Sequence, residues 1–183
     1  GGLFAWSQFS HVQQRVDIWI DPWADPGNTG YQVVQGIFAM AFGGMTGTGL
    51  GMGGNVNVPL LSSDYIFAAI GEQLGLLGGT LVLVTYLLMV GSGLRVAINA
   101  KDTFEKLLAT GLTALIGIQA FIIVGGVTRV LPLTGVTLPF VSYGGSSLVA
   151  NYVLLALLLR VSDDSTSEAV AREVEPPERV ALG

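Results

Sequence analysis

The sequence predicts an all-α integral membrane protein. Its 183 residues are 51% hydrophobic and only 11% charged, with a mean hydropathy of +0.64. Soluble domains typically carry about 25% charge. Three stretches, 73–94, 107–128 and 136–159, hold no Asp, Glu, Lys or Arg. Each is near the ~20 residues that a bilayer crossing needs.

The same composition excludes several classes. Net charge is −5 and no basic run occurs, so the chain offers no surface for nucleic acid. Cys is absent and His11 is the single histidine, which leaves no thiolate site and no pair of His ligands for a metal. There is no initial Met, no basic n-region and no cleavage pattern. Gly1 to Phe9 reads as the tail of a segment already under way, so the expectation is the C-terminal part of a longer membrane protein.

Taken in order, residues 1–16 are expected to end a preceding transmembrane helix, with Trp6 in the interfacial belt. Residues 17–64 form a large polar loop. Asp17, Asp21 and Asp25 flank Trp19 and Trp23, and Pro-Gly-Asn-Thr-Gly at 26–30 marks a turn. Tyr31 to Phe42 has helical spacing and reads as a short amphipathic or re-entrant helix. The run from Gly43 to Gly54 is too rich in glycine for a regular helix. Residues 65–94 are the first span. Residues 95–106, with Arg95, Lys101, Asp102, Glu105 and Lys106, are expected as a charged loop. Residues 107–128 are the second span and 129–135 a turn. Residues 136–160 are the third span, broken by Pro139 and by Ser142-Tyr143-Gly144-Gly145-Ser146-Ser147. Residues 161–183 are expected as a disordered tail.

Basic residues set orientation. They concentrate in 95–106, which places that loop in the cytoplasm, loop 17–64 and turn 129–135 outside, and the tail inside. Asp64 and Pro139 then approach the same outer face.

Asp64 stands at the seam between the loop and the first span. It reads as an N-cap for that helix or as a general base held at the membrane surface. Glu72 follows eight residues later, a little over two turns, so the two acids share a face. An acid inside a span faces a bundle interior or a cavity. Arg129 is placed to pair with a pyrophosphate or to snorkel; Arg15 has the same two readings. The amides of 142–147 are candidates for holding a phosphate, or the small residues there pack helices. The glycines at 43–54 lack the Gly-Lys-Ser or Gly-Lys-Thr ending of a P-loop.

Four motifs in register carry a resemblance. They are Asp25-Pro26 with Gly30-Tyr31-Gln32 and Gln35; Gly43-Gly44 with Gly47 and Gly49; Pro59 with Asp64-Tyr65-Ile66-Phe67-Ala68 and Ile70-Gly71-Glu72; and Leu138-Pro139-Phe140-Val141 running into Ser142–Ser147. Over residues 10–162 the chain resembles the C-terminal half of a SEDS protein of the RodA/FtsW type. Ser-Leu-Val-Ala-Asn-Tyr at 147–152 and Leu-Leu-Leu-Arg-Val-Ser-Asp at 157–163 resemble actinobacterial RodA-like members most.

The resemblance implies the last three spanning helices of a ten-helix bundle plus its large extracytoplasmic loop, in the bacterial cytoplasmic membrane. It implies a peptidoglycan glycosyltransferase that polymerises lipid II for cell-wall elongation and rod shape, beside a class B penicillin-binding protein. Asp64 would be the catalytic residue. Glu72, Arg129, Ser142, Tyr143, Gly144, Gly145 and Ser146 would be substrate-binding candidates. A divalent cation is a candidate cofactor, without protein ligands assigned. The chain departs from the family where Leu61-Ser62-Ser63 precedes the Asp and where Gly71-Glu72 is followed by Gln73. The alternatives are a flippase for the same lipid-linked precursor and a non-catalytic scaffold for a transpeptidase.

Overall fold

The computed structural model describes residues 10–52, 63–100 and 102–174, with side chains over 12–52, 63–100 and 102–164. All regular structure among them is helical. In order these helices are α1 Ser10–Ile20, α2 Tyr31–Gly43, α3 Ile66–Asn99, α4 Thr103–Val127 and α5 Gly145–Val174. Three are long and apolar enough to cross a membrane: α3, α4 and the Gly145–Asp164 part of α5. Their outward faces keep large apolar side chains exposed, including Leu81, Leu87, Leu88 and Leu107. In lipid such a face has no reason to be covered.

Several expected boundaries move. The first 9 residues lie outside the described set, and α1 runs through the expected border at 16. Residues 95–106 are not a loop: α3 continues to Asn99, α4 starts at Thr103, and only 100–102 connect them. The charges there mark where the helices leave hydrocarbon, not where they end. Pro139 does not break a helix either. Residues 128–144 are turn and extended backbone, and α5 begins at Gly145. The expected tail is helical to Val174, and 175–183 lie outside the described residues.

Small residues let the spanning helices approach. A Cβ at Gly93 would overlap Thr113 Oγ1, with Thr113 Cγ2 at 2.8 Å, so α3 and α4 cross there nearly backbone to side chain. Near that end, Ala97, Ala100 and Ala109 pack with Leu112, Leu158 and Val161, joining α3, α4 and α5. Toward the other end, Ala39 of α2 meets Tyr65, Phe67, Ala68 and Val127.

The break that the sequence placed at Pro139 occurs instead at Gly75, inside α3. Gly75 has φ 66° and ψ −162°, a conformation open essentially to glycine alone. Gly75 lies roughly 14 Å along α3 from Ile66, at 1.5 Å per residue. At such depth backbone groups freed by a break need protein partners. The loop after α2 supplies them. Leu76 N–H donates to Gly44 O (2.9 Å) and Leu77 N–H to Met45 O (3.2 Å). In return Thr48 N–H donates to Glu72 O (2.9 Å) and Gly49 N–H to Gln73 O (3.0 Å). A Cβ at Gly43 would overlap Gly71 O, and one at Gly47 would overlap Gln73 O. From Gly44 to Met52 the glycine-rich run is non-helical, as expected, because its backbone docks against another backbone.

Gly93→Ala should lower thermal stability by about 1–3 kcal/mol through overpacking. Adding Thr113→Ala removes the two atoms nearest the new methyl and should restore part of the loss, as read by melting of the detergent-solubilised protein.

Candidate functional site

Asp64 sits half-buried one residue before Tyr65, the residue from which α3 starts. It does not cap the helix: Tyr65 is the N-cap and no side chain caps it. Nor does the eight-residue spacing put Asp64 and Glu72 on one helical face, because Tyr65 has φ −109° and ψ 19° and the helix excludes Asp64. Glu72 is fully buried, with its carbonyl bonded to the loop after α2.

Ser142 fixes the backbone that presents Asp64. Its Oγ donates to Ser63 O (2.7 Å) and accepts from Leu138 N–H (2.7 Å). Ser142 N–H also donates to Leu138 O (3.0 Å), closing the turn over Pro139. The Tyr86 hydroxyl donates to Pro139 O, so α3 itself holds the turn from below. The expected meeting of Asp64 with the Pro139 segment is therefore realised through one buried hydroxyl.

A cation reaches the same place from α1. Arg15 Nη1 donates to Leu133 O (3.0 Å). A Cβ placed on Gly135 would lie 3.6 Å from Asp64 Oδ2 and 3.7 Å from Arg15 Nη2. Gly135 has φ 69° and leaves a gap with a carboxylate on one side and a guanidinium on the other. Sequence reasoning left Arg15 as one of two ambiguous arginines and gave Gly135 no role. The signals were present: Arg15 is the last basic residue before the loop, and Gly135 ends a Leu-Pro-Leu-Thr-Gly turn.

The other candidates separate. Arg129, just past the end of α4, is in a left-handed conformation, φ 62°. Its Nη2 donates to Trp19 O (2.9 Å) and Ile20 O (3.4 Å) at the end of α1, and Trp19 Nε1 donates back to Arg129 O (2.9 Å). A cation at a helix C-terminus also meets the negative end of its dipole. Arg129 is thus engaged in joining α1 to α4. Tyr143 is 78% exposed, and Gly145 and Ser146 are exposed at the start of α5. Gly144 is half-buried, and its carbonyl accepts from Leu148 N–H. Ser147 pairs with Thr137 Oγ1 (2.7 Å), and Gln119 Nε2 donates to Thr137 O (2.8 Å). Among the described residues no three His, Cys, Asp or Glu gather to hold a metal ion. Asp25 builds the expected turn, accepting from Asn28 Nδ2 and from Thr29 N–H and Oγ1.

Tyr65 packs its ring against Gly36 of α2, where a Cβ would stand 2.7 Å from Cε1. Burial, and then the charge of Asp64, push its hydroxyl up from 10.0 to about 12. Among the described residues its buried oxygen has no hydrogen-bond partner.

The FtsW/RodA/SpoVE family, described as cell cycle protein, matches residues 2–167. This chain belongs to that family. It is 56% identical over 162 residues to peptidoglycan glycosyltransferase RodA of Mycobacterium tuberculosis, covering 88% of this chain and 34% of the relative. It is 49% identical over 162 residues to the RodA of Mycobacterium leprae. It is 40% identical over 151 residues to stage V sporulation protein E of Bacillus subtilis, covering 81% of this chain and 41% of that one. It also matches a solved chain described under "structural coordination of polymerization and crosslinking by a peptidoglycan synthase complex". The TM-score is 0.69 at 30% identity, over 88% of this chain and 44% of the other. The chain thus spans about a third of the RodA relatives. Family and helices together make it a multi-pass protein of the bacterial cytoplasmic membrane, and the similarity to actinobacterial members is as the sequence suggested.

Two variants probe the site's framework. Ser142→Ala strands the Leu138 amide and should cost about 1–3 kcal/mol in a thermal melt. Tyr65→Phe removes a buried hydroxyl that bonds none of the described residues, so stability should hold or rise. A raised folded-state pKa gives stability that is lost as pH climbs from 10 toward 12. The advantage of Tyr65→Phe over wild type should therefore widen in that window.

Proposed function

We propose that this chain supplies the outer catalytic face of a peptidoglycan glycosyltransferase that polymerises lipid II during cell-wall elongation. The observation that carries the reading is the carboxylate of Asp64, half-exposed and facing Arg15 across the gap over Gly135. Support comes from the names of the RodA relatives, which are peptidoglycan glycosyltransferases.

The chemistry follows from that arrangement. Asp64 accepts the proton of the acceptor sugar's 4-hydroxyl while that oxygen bonds to the donor's anomeric carbon. The bond from that carbon to the lipid pyrophosphate breaks, and the pyrophosphate leaves with the electron pair. A carboxylate base in reach of the hydroxyl contributes typically 10²–10⁴-fold. Negative charge grows on the leaving group, and a fixed cation stabilises it. Arg15 is the guanidinium placed to do so, and its bond to Leu133 O pre-orients it. The donor set here is one carboxylate beside a cation, which does not itself build a divalent-cation site, so no step is routed through one. Ser142 acts by positioning the Asp64 backbone. Tyr143, Gly145 and Ser146 are the exposed groups of the neighbouring helix start that substrate would meet. A class B penicillin-binding protein is the expected partner, in line with the crosslinking complex that contains the structural relative.

A precursor transporter is the second reading. The discontinuity of α3 at Gly75 favours it, since broken helices line many transporter sites.

In the full-length protein carrying this chain, Asp64→Ala should lower lipid II polymerisation in detergent by about 10²-fold or more. Polymerisation at the wild-type rate would refute the base assignment. Loss of precursor flipping in vesicles without loss of polymerisation would favour the transporter, and loss of transpeptidase binding alone a scaffold.

A further inference from the structure

The four hydrogen bonds at Gly75 have a property that ordinary loop contacts lack. In an unbroken helix, Leu76 N–H would donate to Glu72 O and Leu77 N–H to Gln73 O, by the i to i−4 rule. These two donors and two acceptors are the ones the loop has taken. Gly44 O and Met45 O stand in for the helix's acceptors, and Thr48 N–H and Gly49 N–H stand in for its donors. The loop is intercalated into α3 one bond for one bond.

We propose that this intercalation is a releasable clasp with two states. In the clasped state the loop fills the break. In the released state α3 closes into a continuous helix through Gly75, and the loop withdraws toward water.

The energetics permit both. An open break at membrane depth would leave four backbone groups unpaired, each costly in hydrocarbon. Release does not create that state, because the helix groups find each other as the loop departs. The loop's own groups change to water as partner, and they belong to a segment rich in glycine. Gly75 tolerates both conformations: φ 66° in the clasp and the ordinary helical value on release.

Three further contacts hold the clasped state. Thr48 Oγ1 adds a second donor to Glu72 O (3.1 Å), Gly51 N–H donates to Gln73 Oε1 (3.2 Å), and Gly47 N–H bonds back to Gly43 O (2.8 Å). The loop and the end of α2 also carry four large apolar side chains that stay exposed in the clasped state. Phe42, Met45, Leu50 and Met52 are 60%, 64%, 76% and 75% exposed. The first turns of α3 carry Glu72 and follow directly on Asp64, so release re-aims the segment on which the proposed base is mounted.

Hydrogen exchange reads the two states without any turnover, so its outcome is independent of whether the glycosyltransferase reading holds. The sample is the full-length protein in nanodiscs, followed through peptides covering 44–52 and 74–79. In the wild type, Thr48 and Gly49 should exchange at least about tenfold faster than Leu76 and Leu77, because release frees only the first pair. Equal rates for the two pairs would overturn the proposal. Gly75→Ala cannot adopt the clasped backbone and should leave Leu76 and Leu77 protected while Thr48 and Gly49 exchange as open loop. Gly47→Ala, which blocks docking from the loop side, should give the same split. If all four amides lose protection together in the folded variants, losing the loop unravels the helix and the clasp is only a structural joint. If all four stay protected, the loop does not let go.

Discussion

Below the headgroups a peptide group has no water to bond, and each N–H and C=O must find its partner within the protein. Most of what is unusual in this chain answers that requirement. Regular helices meet it by themselves over Thr103–Val127 and most of Ile66–Asn99. Where the backbone departs from a helix, a second strand of backbone or a single hydroxyl is brought in. At Gly75 the partner is the loop after α2. At Leu138 it is Ser142 Oγ. The first solution demands small residues, since a methyl at Gly43 or Gly47 would occupy the space of an opposing carbonyl.

The same devices assemble the candidate site. Asp64 belongs to neither the loop nor the helix, so something else must fix it. Ser142 does so from the turn after α4, and Arg15 arrives from α1 because Arg129 and Trp19 tie the end of α1 to the end of α4. Two arginines that look alike in the sequence thus divide their work. One has its guanidinium turned to main-chain carbonyls of a neighbouring helix. The other spends one nitrogen on Leu133 O and leaves the next facing the carboxylate across Gly135. Two opposite charges near one another at the border between water and a low-dielectric wall interact more strongly than in bulk solvent.

The sequence made the helical class legible, with its three spans, the short helix over Tyr31–Gly43 and the approach of Asp64 to the Pro139 segment. Each rests on composition or on hydrophobic period, which survive without tertiary detail. The break in α3 was not legible. Hydropathy is blind to φ, and α3 holds six glycines, any of which could mark a bend. Pro139 gave the opposite error: it sits in an apolar run that looks like a span, yet that run is apolar because it packs against Ala120, Ile123 and Tyr86. Charge misled at 95–106 for a third reason. Charged residues report the edge of the hydrocarbon, and a helix crosses that edge freely. The roles of Arg15 and Gly135 depend on contacts between residues far apart in sequence, which no local pattern encodes.

The short connection between α3 and α4 has one more consequence. At roughly 1.5 Å per residue, the 34 residues of α3 extend about 51 Å, well beyond a hydrocarbon layer of about 30 Å. With only residues 100–102 to join them, α3 and α4 cannot slide past one another, so the hairpin sinks, rises or tilts as one body. Asp64 stands at the far end of that body. Its height above the lipid is therefore set by how the hairpin settles in the membrane, and a thicker or thinner bilayer displaces the carboxylate along with it.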